Sequence, residues 1–398
     1  MNKPFYLING MLWILIISCT EVKMVHKFRT GTPVYNKDSC RVASHLIGHR
    51  IYLPVTINNS ATKYRFIMDT GALTMIDESL ADELKIDIGT KVPTGTGSNV
   101  FITRKYVTIS VGDMQVTNFI PIVTNLRTIV NDTSVKGFIG SDWLRFFQVM
   151  IDYKDSCIVL MHPDHPVNIP NAYEITMYRQ QPLNFPLIKC KVGKVNIYGM
   201  LDTGSPFGIV LPMSMVKHTL TYATTVIKSK GLIAKWPFTA PTCNYLARIK
   251  CIKLDTITIY DIPVLYAEMP KNLPYMLIGK EILSKFLLLI NYPKNKVWMS
   301  PYKNVAFKHN VYSVGIALEH KPNNVVVQGV WEGSSADVNG IQPGDTILEI
   351  NSIDVSQLTP YEIERMLYDD TVHVITLHVK GAQGERTLTL TKSMLLPE

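Results

Sequence analysis

A chain of 398 residues with 46% hydrophobic and 18% charged side chains has room for two or three domains and is too apolar to stay disordered. Its formal charge of +8 is dispersed, with no Lys/Arg run and no basic stretch interleaved with aromatics, so nucleic acid is not an expected partner. There is no His-Glu-x-x-His, no Cys-x-x-Cys and no Cys/His cluster, so no metal site and no cofactor is expected.

The chain opens MNKPFYLINGMLWILIISC, one early Lys followed by an apolar stretch that ends at Ile17. That stretch is shorter than the ~20 residues of a membrane span and suits a secretory signal. Its end, Ile16-Ile17-Ser18-Cys19, resembles the bacterial lipobox. The resemblance implies a signal peptide over 1–18, a lipid anchor on Cys19, and a place in the bacterial cell envelope facing the periplasm or the cell surface. The other cysteines, Cys40, Cys157, Cys190, Cys243 and Cys251, have no framework spacing; they leave room for one bridge but predict no disulfide scaffold.

Residues 19–45 read as anchor and linker. From Ile51 onward, short runs such as IYLPVTIN, YRFIMDT and YVTISVG alternate apolar and polar residues between turn signals, which predicts β-strands. DESLADELKI, from Asp77, predicts a short helix. The plan then repeats: FPLIKCKV and VNIYGMLDTG are strand-like, and PMSMVKHTL, from Pro212, is helix-like. Asp-Thr-Gly stands at Asp69 and again at Asp202, an offset of 133 (202 − 69). GFIGSDWLRFFQVMIDY and MLIGKEILSKFLLLINY align without a gap from Phe138/Leu277 to Tyr153/Tyr292, at an offset of 139 (279 − 140). In that alignment Gly140 matches Gly279, Phe146 matches Phe286 within one position, and Asp152 matches Asn291. Each copy runs strand, Asp-Thr-Gly turn, hairpin region, then Ile-Gly and a short helix.

Two such units resemble the retropepsin-like aspartic peptidases. The expected fold is mainly β: a two-lobe pepsin/retropepsin-like acid protease fold, an internal pseudo-dimer, with lobes over 46–165 and 166–302. A lone Asp-Thr-Gly is also a good turn sequence, but two copies followed 71 and 77 positions later by Ile-Gly (140 − 69 and 279 − 202) are specific. The resemblance makes Asp69 and Asp202 the catalytic pair. Two carboxylates about 3 Å apart cannot both ionise cheaply, so one keeps a proton while the other accepts one from a water. Gly71 and Gly204 let the backbone approach the carboxylates. Thr70 and Thr203 are implied to bond across the lobe interface. Ser205 stands where the first copy has Ala72; a hydroxyl bond from it to Asp202 would favour the anion and make Asp202 the more acidic partner. The implied substrate is an extended polypeptide. Because both copies lie in one chain, the peptidase unit is expected to work as a monomer. PTGTGSNVF (93–101), with Gly95 and Gly97, reads as a first-lobe flap or an ordinary flexible loop, and KSKGLIAKWPF (228–238) as its second-lobe equivalent. Trp236 suits either a substrate pocket or the core.

Beyond 302 the pattern changes. YSVGIAL, GIQPGDTILEIN (340–351) and VHVITLHVKG resemble a PDZ domain, a small β-barrel with two helices, over 303–398. LTPYEIERMLY predicts a helix with Thr359 as N-cap, Pro360 first inside it and Glu362 completing a capping box. The resemblance implies that a peptide, as a C-terminus or an internal strand, adds beside the loop and strand at Val314, Gly315 and Ile316. The loop lacks the first Gly of the usual pattern, which counts against carboxylate capture. The rival to a peptidase is a non-catalytic envelope PDZ adaptor on a pseudo-peptidase scaffold.

Overall fold

The structure is a computed structural model and describes residues 30–92, 100–130, 132–234, 243–269, 274–304, 306–321 and 324–397. Cys19, Gly95, Gly97 and Trp236 lie outside the described residues.

The fold is mainly β, and the alternation that predicts strands becomes one buried and one open face. Val107–Val111 is buried at every second residue, as is most of Arg50–Ile57. Each lobe builds the same frame around its Asp-Thr-Gly. Tyr64–Met68 runs parallel to Val135–Ile139, with Ile67 beside Phe138, and Met75–Asp77 returns antiparallel to that same strand. In the second lobe Val195–Leu201 runs parallel to Met276–Ile278, with Met200 beside Leu277, and Ile209–Pro212 returns antiparallel. The helix after the first turn, Glu78–Glu83, starts where Asp77 accepts a hydrogen bond from the Ser79 N–H at 3.0 Å.

A six-stranded sheet joins the lobes. At its centre Gln148–Asp152 pairs antiparallel with Phe286–Asn291, Gln148 opposite Asn291 and Asp152 opposite Leu287. Shifting one strand by the repeat offset gives the other (148 + 139 = 287; 152 + 139 = 291), so this register is the local two-fold axis. The same alignment puts Phe147, rather than Phe146, at the place of Phe286 (147 + 139), and both are buried.

Part of the segment expected to be linker is strand instead. Thr32–Tyr35 pairs with Met114–Phe119, and Ser39–Val42 completes the interlobe sheet against Cys157–Met161. Both cover strand edges that would otherwise be open, and Cys40 and Val42 are buried by it.

The C-terminal unit has its own core around Val314, Ile347, Ile363 and Leu377. Its longer helix, Pro360–Tyr368, has the expected capping box: Thr359 Oγ1 accepts from the Glu362 N–H at 3.3 Å and Glu362 Oε2 accepts from the Thr359 N–H at 2.7 Å. This unit is not a bead on a string. Its strand Asn324–Trp331 pairs antiparallel with the second-lobe strand Ala223–Gly231. Among the described residues no helix is long and apolar enough to cross a membrane.

Candidate functional site

The two Asp-Thr-Gly turns meet on the local two-fold axis. Each Asp is held at the end of its strand by a backbone bond to the Ile-Gly strand, Asp69 N–H to Ile139 O and Asp202 N–H to Ile278 O, both 2.9 Å. The threonines then lock the lobes together. Thr70 N–H donates to Thr203 Oγ1 and Thr203 N–H to Thr70 Oγ1, both at 3.0 Å. The hydroxyls reach deeper: Thr70 Oγ1 donates to Leu201 O at 2.6 Å and Thr203 Oγ1 to Met68 O at 3.2 Å. Both threonines are fully buried, so each of these groups has its partner only across the lobe boundary.

The glycines explain the rest of the motif. A Cβ on Gly71 would stand 2.6 Å from Asp202 Cγ, and one on Gly204 would overlap the Asp69 carboxylate. Each lobe's glycine therefore makes room for the other lobe's carboxyl group. Inside each turn the backbone turns back on its own Asp: Gly71 N–H donates to Asp69 Oδ1 at 2.8 Å and Gly204 N–H to Asp202 Oδ1 at 3.0 Å.

Enclosure between the lobes pushes both carboxyls above the ordinary Asp range. N–H groups of Gly71, Gly204 and Ala72 oppose that push on Asp69; those of Gly204 and Ser205 oppose it on Asp202, which also feels the Asp69 charge. The pair titrates as one unit and holds one proton between two carboxyls. Ser205 serves Asp202 through its backbone N–H, at 3.1 Å from Oδ1.

The dyad opens into a cleft of about 500 Å³. Ile67, Met75 and Phe138 form one wall, and Phe207, Val210 and Leu277 form the other. The walls obey the repeat, since Phe138 lies beside Ile67 as Leu277 lies beside Met200. His49 and Arg50 also line the cleft; burial, then Arg50 and Lys280, push His49 down to about 3, so it is neutral at any ordinary pH. These two residues carry no sequence signal, because their turn reaches the cleft only through tertiary packing. Asp142 is likewise missed. It is buried two residues past Gly140, where it accepts from Thr74 N–H at 2.8 Å and Thr74 Oγ1 at 2.7 Å and so braces the first turn. Its place beside the Ile-Gly signature is the only available hint.

Gly95 and Gly97 fall outside the described residues, but the strands around them pair as a hairpin, Val92 opposite Val100. In the second lobe Ala223–Gly231 pairs with Tyr245–Leu254 in the matching position. At the C-terminal unit Val314 and Ile316 point their side chains into the core, leaving only their backbone to a peptide. Gly315 takes φ +93°, and its N–H is already bonded to Ser313 Oγ at 3.0 Å. That bond removes one donor from a carboxylate site. The five cysteines from Cys40 to Cys251 are free thiols. Among the described residues no group of His, Cys, Asp or Glu is placed to hold a metal ion.

Residues 53–143 match the family model for an aspartyl protease, and residues 304–380 match that for a PDZ domain. The chain thus carries an aspartyl protease domain followed by a PDZ domain. None of the curated proteins matches it. Among solved structures it is similar to basic 7S globulin from soybean, at 9% identity and a TM-score of 0.39, over 66% of this chain and 95% of that one. The protease match falls inside the first lobe. The second lobe is tied to it by the internal repeat, strand for strand.

Proposed function

We infer that the chain is an aspartic endopeptidase that hydrolyses peptide bonds of extended polypeptides with Asp69 and Asp202. One observation carries this reading: two carboxyls from two lobes share a single enclosed, hydrogen-bonded site at the floor of an apolar cleft. A water between them gives a proton to the Asp69 carboxylate as its oxygen attacks the carbonyl carbon, and Asp202 protonates the carbonyl oxygen. Collapse of the tetrahedral intermediate breaks the C–N bond; Asp69 passes its proton to the leaving nitrogen and Asp202 recovers its own. The apolar walls exclude bulk water and hold substrate side chains on either side of the scissile bond. The reaction uses no cofactor, and one chain supplies both carboxyls, so the unit acts as a monomer. The PDZ domain takes a polypeptide segment, for recruitment or regulation. A lipid on Cys19 holds the enzyme to a bacterial envelope membrane, facing the periplasm or the surface.

The test is to incubate the full chain with a denatured-proteome peptide library between about pH 3 and pH 8 and read new termini by mass spectrometry. Cuts by wild type that disappear in both Asp69→Asn and Asp202→Asn are the expected result. No cuts at any pH, or cuts that survive in either variant, would remove the dyad from the account.

A further inference from the structure

The wall of the cleft in the second lobe continues into the C-terminal unit. Beyond the ladder between Ala223–Gly231 and Asn324–Trp331, Leu232 N–H donates to Gln328 O at 2.9 Å and Glu332 N–H to Lys228 O at 3.0 Å. The junction is built for contact: Gly231 sits at φ +69°, and a Cβ on Gly329 would run into the Leu232 backbone. Lys230 Nζ adds an ion pair to Asp337 at 2.6 Å. Trp331, 5% exposed, then joins the buried cluster that runs across the sheet through Ile227, Leu246 and Leu265 to Val210, Ala267, Met269 and Leu277. Of these, Val210, Ala267, Met269 and Leu277 also line the cleft. A second route runs through Asn244, which is buried. Its N–H donates to Ser229 Oγ at 2.8 Å, its Oδ1 accepts from Ala234 N–H at 3.1 Å, and Ala234 lines the cleft.

We propose that Trp331 is a positioning residue that sets the second-lobe substrate pocket, and that the PDZ domain carrying it is a fixed part of the cleft wall rather than a tethered recruiter. Trp331 backs the residues that meet the substrate without meeting it itself. Through Leu246 and Leu265, its indole limits how far Val210 and Leu277 can retreat, and so limits the apolar side chain that the pocket admits. In the first lobe the matching cluster of Ile67, Met75 and Phe138 is closed by its own lobe, with Tyr52, Leu126 and Val135. The apolar cluster behind the second-lobe pocket therefore includes residues of the C-terminal unit, and the one behind the first-lobe pocket does not. This inference rests on the peptidase reading above.

The test uses the full chain with Trp331→Ala and Trp331→Phe. Substrates are peptides of ~8 residues, about 27 Å when extended, which differ in one apolar side chain beside the cut. For Trp331→Ala we expect kcat/KM on the best wild-type peptide to fall about 10- to 100-fold, mostly through KM. Preference should move towards larger apolar side chains as the cavity opens. Trp331→Phe should stay within about threefold of wild type, because a large aromatic ring still fills the site. The pH–rate profile should not move, since the dyad is untouched. Unchanged preference in Trp331→Ala overturns the proposal, as does a loss confined to long substrates. Hydrogen exchange, which needs no turnover, separates this from failure of the peptidase reading. The amides of Leu246, Leu265 and Ala267 should exchange faster than in wild type, strongly in Trp331→Ala and slightly in Trp331→Phe, where the smaller ring leaves a little space. Those of Ile67 and Phe138 should not. Exchange that is equal across both lobes overturns the coupling even if no peptide is ever cut.

Discussion

In the first lobe the hairpin strand Ile88–Val92 ends its sheet, whereas in the second the matching strand Ala223–Gly231 pairs onward with the PDZ strand Asn324–Trp331. The two lobes match bond for bond within the Asp-Thr-Gly turns and differ further out. Within the two turns the contacts come in pairs: threonine to threonine, glycine to opposite carboxyl, Asp to Ile-Gly strand. Further out, the second lobe's hairpin strand has a neighbour from a different domain and the first lobe's has none in its sheet. Chemistry that needs two carboxyls at one point imposes symmetry there, while the walls are free to acquire separate neighbours.

The most damaging way to probe this comparison is at the glycines. Gly71→Ala and Gly204→Ala each drive a methyl group into the other lobe's carboxyl. Each should lower kcat/KM about 100-fold or more, and by similar amounts, because the intrusion is reciprocal. A variant that kept its activity would show that the carboxyls stand further apart than the structure has them.

Next come the cross-lobe threonines. Thr70→Ala and Thr203→Ala each strand a buried donor and a buried acceptor, which should cost about 2–4 kcal/mol in denaturant unfolding. Equal losses support a symmetric joint; a loss in only one variant breaks the comparison at its centre.

Asp202→Asn probes the shared proton of the pair through pH. The raised pKa of Asp202 means that folding favours its protonated form. Its contribution to stability is complete below the ordinary value of 3.8 and is lost as pH rises towards the raised folded value. An Asn cannot ionise, so the variant should melt like wild type in acid and at higher temperature than wild type near neutral pH. A difference that is flat across pH would contradict the protonated Asp202.

The smallest expected effect is that of Ser205→Ala. Because the backbone N–H of Ser205 supplies its bond to Asp202, both limbs of the pH–rate profile should move by less than about 0.3 units. A larger shift would bring the hydroxyl back into the dyad.

Much of the site is legible in local patterns. Asp69, Asp202 and their threonines and glycines announce themselves because the chemistry needs the same short turn twice, and the spacing to Gly140 and Gly279 confirms the repeat. Strands show through period-two alternation, and the helix at Pro360–Tyr368 through a capping box that closes within one turn. The linker reading of residues 32–42 fails because short edge strands are defined by what they pair with, and Cys40 and Val42 meet their partner strand more than a hundred residues later. His49, Arg50 and Asp142 are missed for the same reason: only contacts distant in sequence give them a place in or under the cleft.

What the sequence alone determines here is the repeated unit, its two carboxyls and the change to a second kind of domain near residue 303, since each is written in side chains over a few adjacent positions. The tertiary structure alone decides that burial raises both carboxyls, that a backbone N–H rather than a hydroxyl serves Asp202, and that a PDZ strand pairs with the second lobe. Those outcomes depend on burial and on ladders between backbone groups. Every residue except proline carries the same N–H and C=O, so the choice of partner strand leaves little mark on the order of the side chains.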